Sequence, residues 1–222
     1  PEESVFITGN PVIDALQWIN SRTAGPDALE LLRRLGLEGP LGGHDGGWRT
    51  LLVTAHRRES FGERLVGICH GLKNLVRRNP DVQIVFPVHP NPSVRSTVFE
   101  ILSGDDRIHL LDPLPYETLI QLMSRACLVV TDSGGLQEEG PALGKPVLVL
   151  RDDTERPEAV EAGVAKVVGT DPKAIVEEAE RLLHDAEAYR RMACRVSPFG
   201  DGRAAERIVR IILERVTPAS AA

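Results

Sequence analysis

Short apolar runs alternate with amphipathic stretches through the middle of this chain, and that alternation constrains its fold more than any other feature. Leu51 to Thr54, Val82 to Phe86, Ile108 to Leu111, Cys127 to Thr131 and Val147 to Leu150 are bounded by turn residues and read as buried strands. The intervening segments carry helical spacing. After the first strand, Leu65, Ile68, Cys69, Leu72, Leu75 and Val76 recur on one stripe, with Ser60 and Glu63 spaced as a capping box. Further helices are predicted over Pro92 to Leu102, Pro115 to Arg125, Gly134 to Leu143 and Pro157 to Ala162, and a sixth strand near Val164 to Val168. Strands alternating with helices form right-handed βαβ units. The expected fold is therefore α/β: a Rossmann-like parallel sheet with helices on both faces.

The flanks read differently. Residues 1–38 hold one strand and one helix over Ser4 to Asn20, then a second helix ending near Gly36. Gly39 to Trp48, GPLGGHDGGW, is Gly-rich, but phosphate loops open a helix and this stretch feeds a strand, so it reads as a loop or linker. The sheet domain is expected over 49–202. From Pro172 the chain is helical, with one stripe at Ile175, Ala179, Leu182 and Leu183 and another at Ile208, Val209, Ile211, Ile212 and Val216. SPFGDG, Ser197 to Gly202, breaks the run, with Asp201 as the expected N-cap of a terminal helix over 203–222. The start, PEESVF, has neither Met nor a basic-then-apolar leader, and the chain reads as a piece of something longer.

Composition removes several function classes. With 222 residues, 42% of them hydrophobic, the chain is long enough for a sizeable core. No apolar run approaches the roughly 18 residues of a membrane span. The net charge is −6 and aromatics are only 4%, the opposite of the basic, aromatic-rich face that nucleic acid requires. Cys69, Cys127 and Cys194 are odd in number and lack CxxC spacing, so reduced thiols in a cytoplasmic protein are expected. The six histidines show no HxxxH or HExxH spacing, so no metal site is expected.

In an open parallel sheet, ligands bind at the carboxyl ends of the strands, so the residues just past each strand carry the functional signal. Four such turns are polar: AHRRES after the first strand, PVHPNPS after the second, TDSGGLQEEG after the fourth and RDDTERPEA after the fifth. Gly134 and Gly135 at the mouth of a helix let backbone approach a ligand, and the free N–H groups of the first turn favour an anion. Ser133 adds a hydroxyl. Glu139, one helical turn beyond Gly135, would repel phosphate but can accept both hydroxyls of a ribose. A nucleotide whose diphosphate meets the Gly-Gly turn satisfies both features. The same residues read equally as a capped turn with Glu138 and Glu139 solvated.

His56 and Arg57 lie in a charged strand-to-helix loop, for which simple solvation is the default reading. His89 is stiffened between Pro87 and Pro90 and is placed to donate to a phosphate. Arg156 precedes Pro157 at a helix start, where a cation opposes the dipole unless an anion is bound there. Together His56, Arg57, His89, Arg156 and the helix terminus are expected to form a positive pocket on a net negative chain.

AHRRESFG, PVHPNP, TDSGGLQEE, GKPVLVLRDDTERPEA and PFGDG, in that order, resemble the non-hydrolysing UDP-N-acetylglucosamine 2-epimerases, from ITGNPVIDAL near the start to the last helix. The resemblance implies the carboxyl-terminal domain of a two-domain GT-B architecture, and interconversion of UDP-N-acetylglucosamine and UDP-N-acetylmannosamine through elimination and re-addition of UDP. No cofactor is implied. By the same resemblance His56 is the catalytic histidine, and Arg57, His89, Ser133, Gly134, Gly135, Glu139 and Arg156 bind the UDP-sugar substrate. In that family the base is read largely by backbone after the third strand, where this chain has DPLPYETLIQLM and where Leu114 and Leu119 depart from the usual polar and aromatic residues. The resemblance further implies that the acid and base carboxylates belong to an amino-terminal domain not represented here, and that the full-length enzyme is a homodimer.

Two other functions fit the same fold: the donor-binding domain of a GT-B glycosyltransferase, and a module that holds UDP without turning it over. The paired AHRRESFG and TERPEA motifs favour the epimerase. Alone, this chain is expected to hold UDP weakly and to be inactive.

Overall fold

The computed structural model describes residues 4–38, 47–194 and 197–216. Six strands form one parallel sheet: β1 (Arg49–Thr54), β2 (Val82–Pro87), β3 (Ile108–Leu111), β4 (Leu128–Thr131), β5 (Val147–Val149) and β6 (Ala165–Val167). Their spatial order is β3-β2-β1-β4-β5-β6. The order reverses between β1 and β4, which pair directly from Leu51–Leu128 to Thr54–Thr131. A parallel sheet has its crevice at such a reversal, outside the carboxyl ends of the strands, because the crossovers on the two sides leave in opposite directions.

The sheet carries apolar residues on both faces because both are covered. Leu51 and Val53 enter one core with Ile84, Phe86, Val130 and Leu148, while Leu52 enters another with Val129, Val147 and Val149. The first core is closed by α3 (Glu63–Arg78), α4 (Pro92–Leu102), α8 (Pro172–His184) and α9 (Ala186–Met192). The second is closed by α5 (Tyr116–Arg125), α6 (Gly134–Ala142) and α7 (Pro157–Glu161), with α1 (Pro11–Asn20) placing Leu16 and Ile19 in the same cluster. The short helix α2 (Pro26–Arg34) packs Leu32 against Val85 and Leu122. Each such Leu or Val contributes about 1.5–3 kcal/mol by leaving water.

The ends of the chain are clasped together. Asn10 caps α1 by accepting from the Val12 N–H, and its own N–H donates to the Phe199 carbonyl at 2.7 Å. Gly9 and Gly200 meet back to back here, both at positive φ, so a side chain on either would be strained. The last helix, α10 (Ala204–Val216), is capped from a distance: the Asp14 carboxylate on α1 accepts from the Ala204 and Ala205 N–H groups at 3.1 and 2.8 Å.

Three local expectations are corrected. Residues 5–10 form no strand: their one backbone bond to the 197–200 turn is not continued into a ladder, and Val5 and Ile7 are exposed. Ser60 does not cap α3; Gly62 takes that position, and the Ser60 hydroxyl, in a short 3₁₀ turn, is drawn instead to Asp132 at 3.1 Å. Asp201 lies ahead of α10 and pairs with Arg207 at 2.6 Å, leaving the cap to Asp14. The Gly-rich segment at 39–46 lies outside the described residues.

Candidate functional site

The crevice begins with two threonines that end adjacent strands. Thr54 and Thr131 share a hydrogen bond between hydroxyls at 2.6 Å, and Thr131 Oγ1 accepts the Ser133 N–H at 2.9 Å. That contact bends the chain out of β4 and starts α6. Between them stands Asp132, fully buried. Its Oδ2 accepts the His56 and Arg57 N–H groups, each at 2.8 Å, and the Ser60 hydroxyl. Its Oδ1 stands 3.2 Å from His56 Nδ1. Burial pushes the Asp132 carboxyl up, but the His56 contact and the loop N–H groups outweigh it, and the net shift is below the ordinary aspartate value. One carboxylate thus joins the loop after β1 to the turn after β4.

His56 stacks on His89 with ring centroids 5.7 Å apart and planes 17° from parallel. His89 Nδ1 accepts the Asn91 N–H, which leaves its proton on Nε2 as a donor. His56 Nδ1 faces the buried Asp132 carboxylate, and its Nε2 lies on the side of the cleft. Both rings border a cleft of about 410 Å³ with Pro113, Leu114, Leu119 and Leu136. Leu114 and Leu119 thus give this end of the cleft an apolar lining suited to a flat ring.

At the start of α6, Ser133 is the N-cap residue, yet its side chain makes no capping bond. The dipole and first-turn N–H groups consequently open onto the crevice. The approach is close: a Cβ on Gly134 would lie 2.7 Å from Glu155 Oε1 and 3.4 Å from Arg57 Nη2. Glu155 is held by Arg57 at 2.6 Å and by Arg151. Its carboxyl is raised by burial and lowered more by its own backbone N–H and the two arginines, with a net downward shift.

Further along α6, Glu138 and Glu139 are both buried, so the solvated alternative is excluded. Glu139 Oε1 accepts the Tyr116 hydroxyl at 2.8 Å. Burial and the neighbouring Glu138 raise the Glu139 carboxyl above its usual range, although the tyrosine bond opposes them. Glu138 bridges Arg156 and the Asn10 amide, tying the amino-terminal clasp to the rim. Gln137 bonds Thr154, whose hydroxyl also accepts the Arg156 N–H at 3.0 Å, and so fixes the TERPEA loop against α6.

All eight residues expected at the site lie on this carboxyl rim of the sheet, around α6 and the loops facing it. The expected net positive pocket is corrected: Arg57 is balanced by Glu155, and the conflict at Arg156 is resolved by Glu138 rather than by a ligand. Sequence reasoning missed Asp132, Tyr116 and Glu155. Asp132 was findable as the first residue beyond β4 on the same edge as His56, and Tyr116 as the opening residue of a helix on that edge. Among the described residues no group of His, Cys, Asp or Glu is arranged to hold a metal, and no helix is long and apolar enough to cross a membrane.

Comparison with known proteins adds an independent line. A family model described as UDP-N-acetylglucosamine 2-epimerase matches residues 1–213. A UDP-N-acetylglucosamine 2-epimerase of Campylobacter jejuni is 45% identical over 215 residues, covering 96% of this chain and 55% of that protein. A probable enzyme of the same name from Ralstonia nicotianae is 50% identical over 212 residues, covering 96% and 56%. The crystal structure of UDP-GlcNAc 2-epimerase from Neisseria meningitidis bound to UDP-GlcNAc superposes with a TM-score of 0.81 at 40% identity, over 96% of this chain and 56% of that one. The chain spans about half the length of the curated relatives it matches.

Proposed function

The chain belongs to the UDP-N-acetylglucosamine 2-epimerase family, and from that membership we propose that it is the UDP-binding half of an enzyme interconverting UDP-N-acetylglucosamine and UDP-N-acetylmannosamine. The observation that carries the reading is the uncapped start of α6, Ser133-Gly134-Gly135, open at the sheet's reversal point with a buried carboxylate, Glu139, one turn further on. Phosphate and ribose need opposite electrostatics at that spacing, and the helix supplies both.

In the proposed reaction a base removes the C2 proton of the sugar and the C1–oxygen bond breaks, its electron pair leaving with the β-phosphate of UDP. A C1–C2 double bond forms. UDP then attacks C1 again while a proton returns to C2 on the opposite face. This half of the enzyme serves the leaving group. The Ser133 hydroxyl and the Gly134 and Gly135 N–H groups stabilise the charge that grows on the diphosphate, each such hydrogen bond contributing about 1.5–3 kcal/mol. His89 donates through Nε2. Arg57 turns from Glu155 to phosphate, and Arg156 orients the loop and faces substrate. Glu139, with Tyr116 beside it, accepts the ribose hydroxyls, and the base lies in the apolar cleft against Leu114 and Leu119. His56 works as acid, base or phosphate partner through Nε2.

The carboxylates that handle the C2 proton are assigned to the amino-terminal domain of a GT-B enzyme, so this chain alone binds UDP and turns nothing over. A cytoplasmic homodimer belongs to the same reading and rests on the family resemblance, with the free thiols of Cys69, Cys127 and Cys194 in accord with a reducing compartment. Calorimetric titration of this chain tests the proposal: UDP binds, UMP binds much more weakly because it lacks the second phosphate, and CDP more weakly because the base differs. Equal heats for the three nucleotides, or none with UDP, reject it. The full-length protein should convert UDP-N-acetylglucosamine to its C2 epimer.

A further inference from the structure

We propose that Asp132 is the positioning residue of His56: it fixes the imidazole in the Nδ1–H tautomer and ties its place to that of the diphosphate turn. The two oxygens of this buried carboxylate do different work. Oδ2 takes three donors, the His56 and Arg57 N–H groups and the Ser60 hydroxyl. That oxygen accounts for the shape of the loop. Oδ1 is buried without a well-aligned hydrogen-bond donor, and His56 Nδ1 stands 3.2 Å from it. A proton on Nε2 would set the Nδ1 lone pair against that anionic oxygen, whereas a proton on Nδ1 gives it a donor. A buried carboxylate selects the second arrangement.

The consequence reaches the substrate. With Nδ1 committed, Nε2 is the one nitrogen left for the cleft, an acceptor when the ring is neutral and a donor when it is charged. Asp132 also immediately precedes Ser133, so a nucleotide that pulls on the turn pulls on the residue that holds the histidine. This functional consequence rests on the reading of the rim as a nucleotide site; the tautomer does not.

Nitrogen-15 NMR of the ring nitrogens tests the proposal in this chain, at a pH where the imidazoles are neutral. The chain has six histidines, and the His56 signals are those lost in His56→Gln. The expected wild-type pattern is protonated Nδ1 and bare Nε2. In Asp132→Asn the three donors around the Oδ2 position hold the amide oxygen there, which turns the amide N–H₂ toward His56 and drives the ring to Nε2–H. A merely structural aspartate would leave the tautomer unmoved. A wild-type ring in the Nε2–H form, an even mixture, or no change in Asp132→Asn overturns the proposal; should that variant not fold, the wild-type pattern decides alone. UDP titration of the same two proteins separates the ideas. A tenfold or greater loss of UDP affinity in Asp132→Asn extends the tautomer to binding, and absence of UDP binding in the wild type would reject the nucleotide reading while leaving the tautomer result intact.

Discussion

The two ends of the sheet use the same kinds of residue to opposite effect. At the amino ends of the strands, Arg49 reaches the Leu183 carbonyl and Asp81, and Arg107 donates to the Val76 and Asn79 carbonyls. Asn79, buried at the end of α3, donates to the Leu75 carbonyl and Glu180 and meets His184 at 2.8 Å. Charge there is consumed by helix ends and ion pairs. At the carboxyl ends, by contrast, the first turn of α6 has no side-chain cap, and Asp132 and Asn91 occupy the Nδ1 atoms of His56 and His89, leaving their Nε2 atoms to the cleft. Closure marks a stabilising network, and an uncommitted but positioned donor set marks the rim proposed to bind the nucleotide.

The sharpest way to break this comparison is at the closed end. Asn79→Ala leaves His184 without its amide partner and strips the side-chain donor from the Leu75 carbonyl, which keeps the backbone N–H of residue 79, and from Glu180, which keeps Arg78; it should cost about 2 kcal/mol of stability. Urea unfolding measures it. UDP affinity should stay within about twofold of wild type, on the additivity expected of distant sites. A large loss of UDP affinity in a folded Asn79→Ala protein would show that the two ends are not separate in function.

Sequence distinguishes these ends only through strand direction. Strands and helices were legible because both sheet faces are covered, which writes each strand as an apolar run and each crossover as a stripe. The rim was legible because a parallel sheet puts its binding loops after the strands, which singles out AHRRES, PVHPNPS and TDSGG. Pairing across the fold was not legible. The donors of Asp132 lie 72 to 76 positions away in the chain, and one of them, Ser60, was the more easily read as a local cap. Arg156 looked unpaired because Glu138 reaches it only once α6 packs beside the TERPEA loop. Residues 5–10 had strand composition without a strand neighbour, and composition cannot supply one.

At the open end a smaller change should act on ligand alone. Ser133→Ala removes a hydroxyl that caps nothing, so unfolding should shift by no more than about 0.5 kcal/mol. The same change should weaken UDP by about tenfold, the lower range for a hydrogen bond to a charged group. Calorimetry and urea unfolding on one preparation read both quantities. Equal losses in stability and affinity would assign Ser133 to the fold and erase the contrast with Asn79.

The finest test uses the carboxylate whose fold and proposed ligand want different protonation states. Burial first, and Glu138 with it, raise the Glu139 carboxyl above its ordinary value. A carboxyl raised by folding is stabilising as the neutral acid and loses that contribution as pH climbs through the raised value. Ribose hydroxyls donate to the ion and favour the opposite state. UDP affinity should therefore fall as pH drops through the raised Glu139 value, by about twofold where the free protein is half protonated there. The terminal phosphate of UDP also gains a proton, near pH about 6. Glu139→Gln keeps that phosphate term and removes the carboxyl term, so the difference between the two pH profiles isolates Glu139. Parallel profiles would mean that the carboxylate does not meet the nucleotide, and that its bond to Tyr116 is as closed as the network at the other end of the sheet.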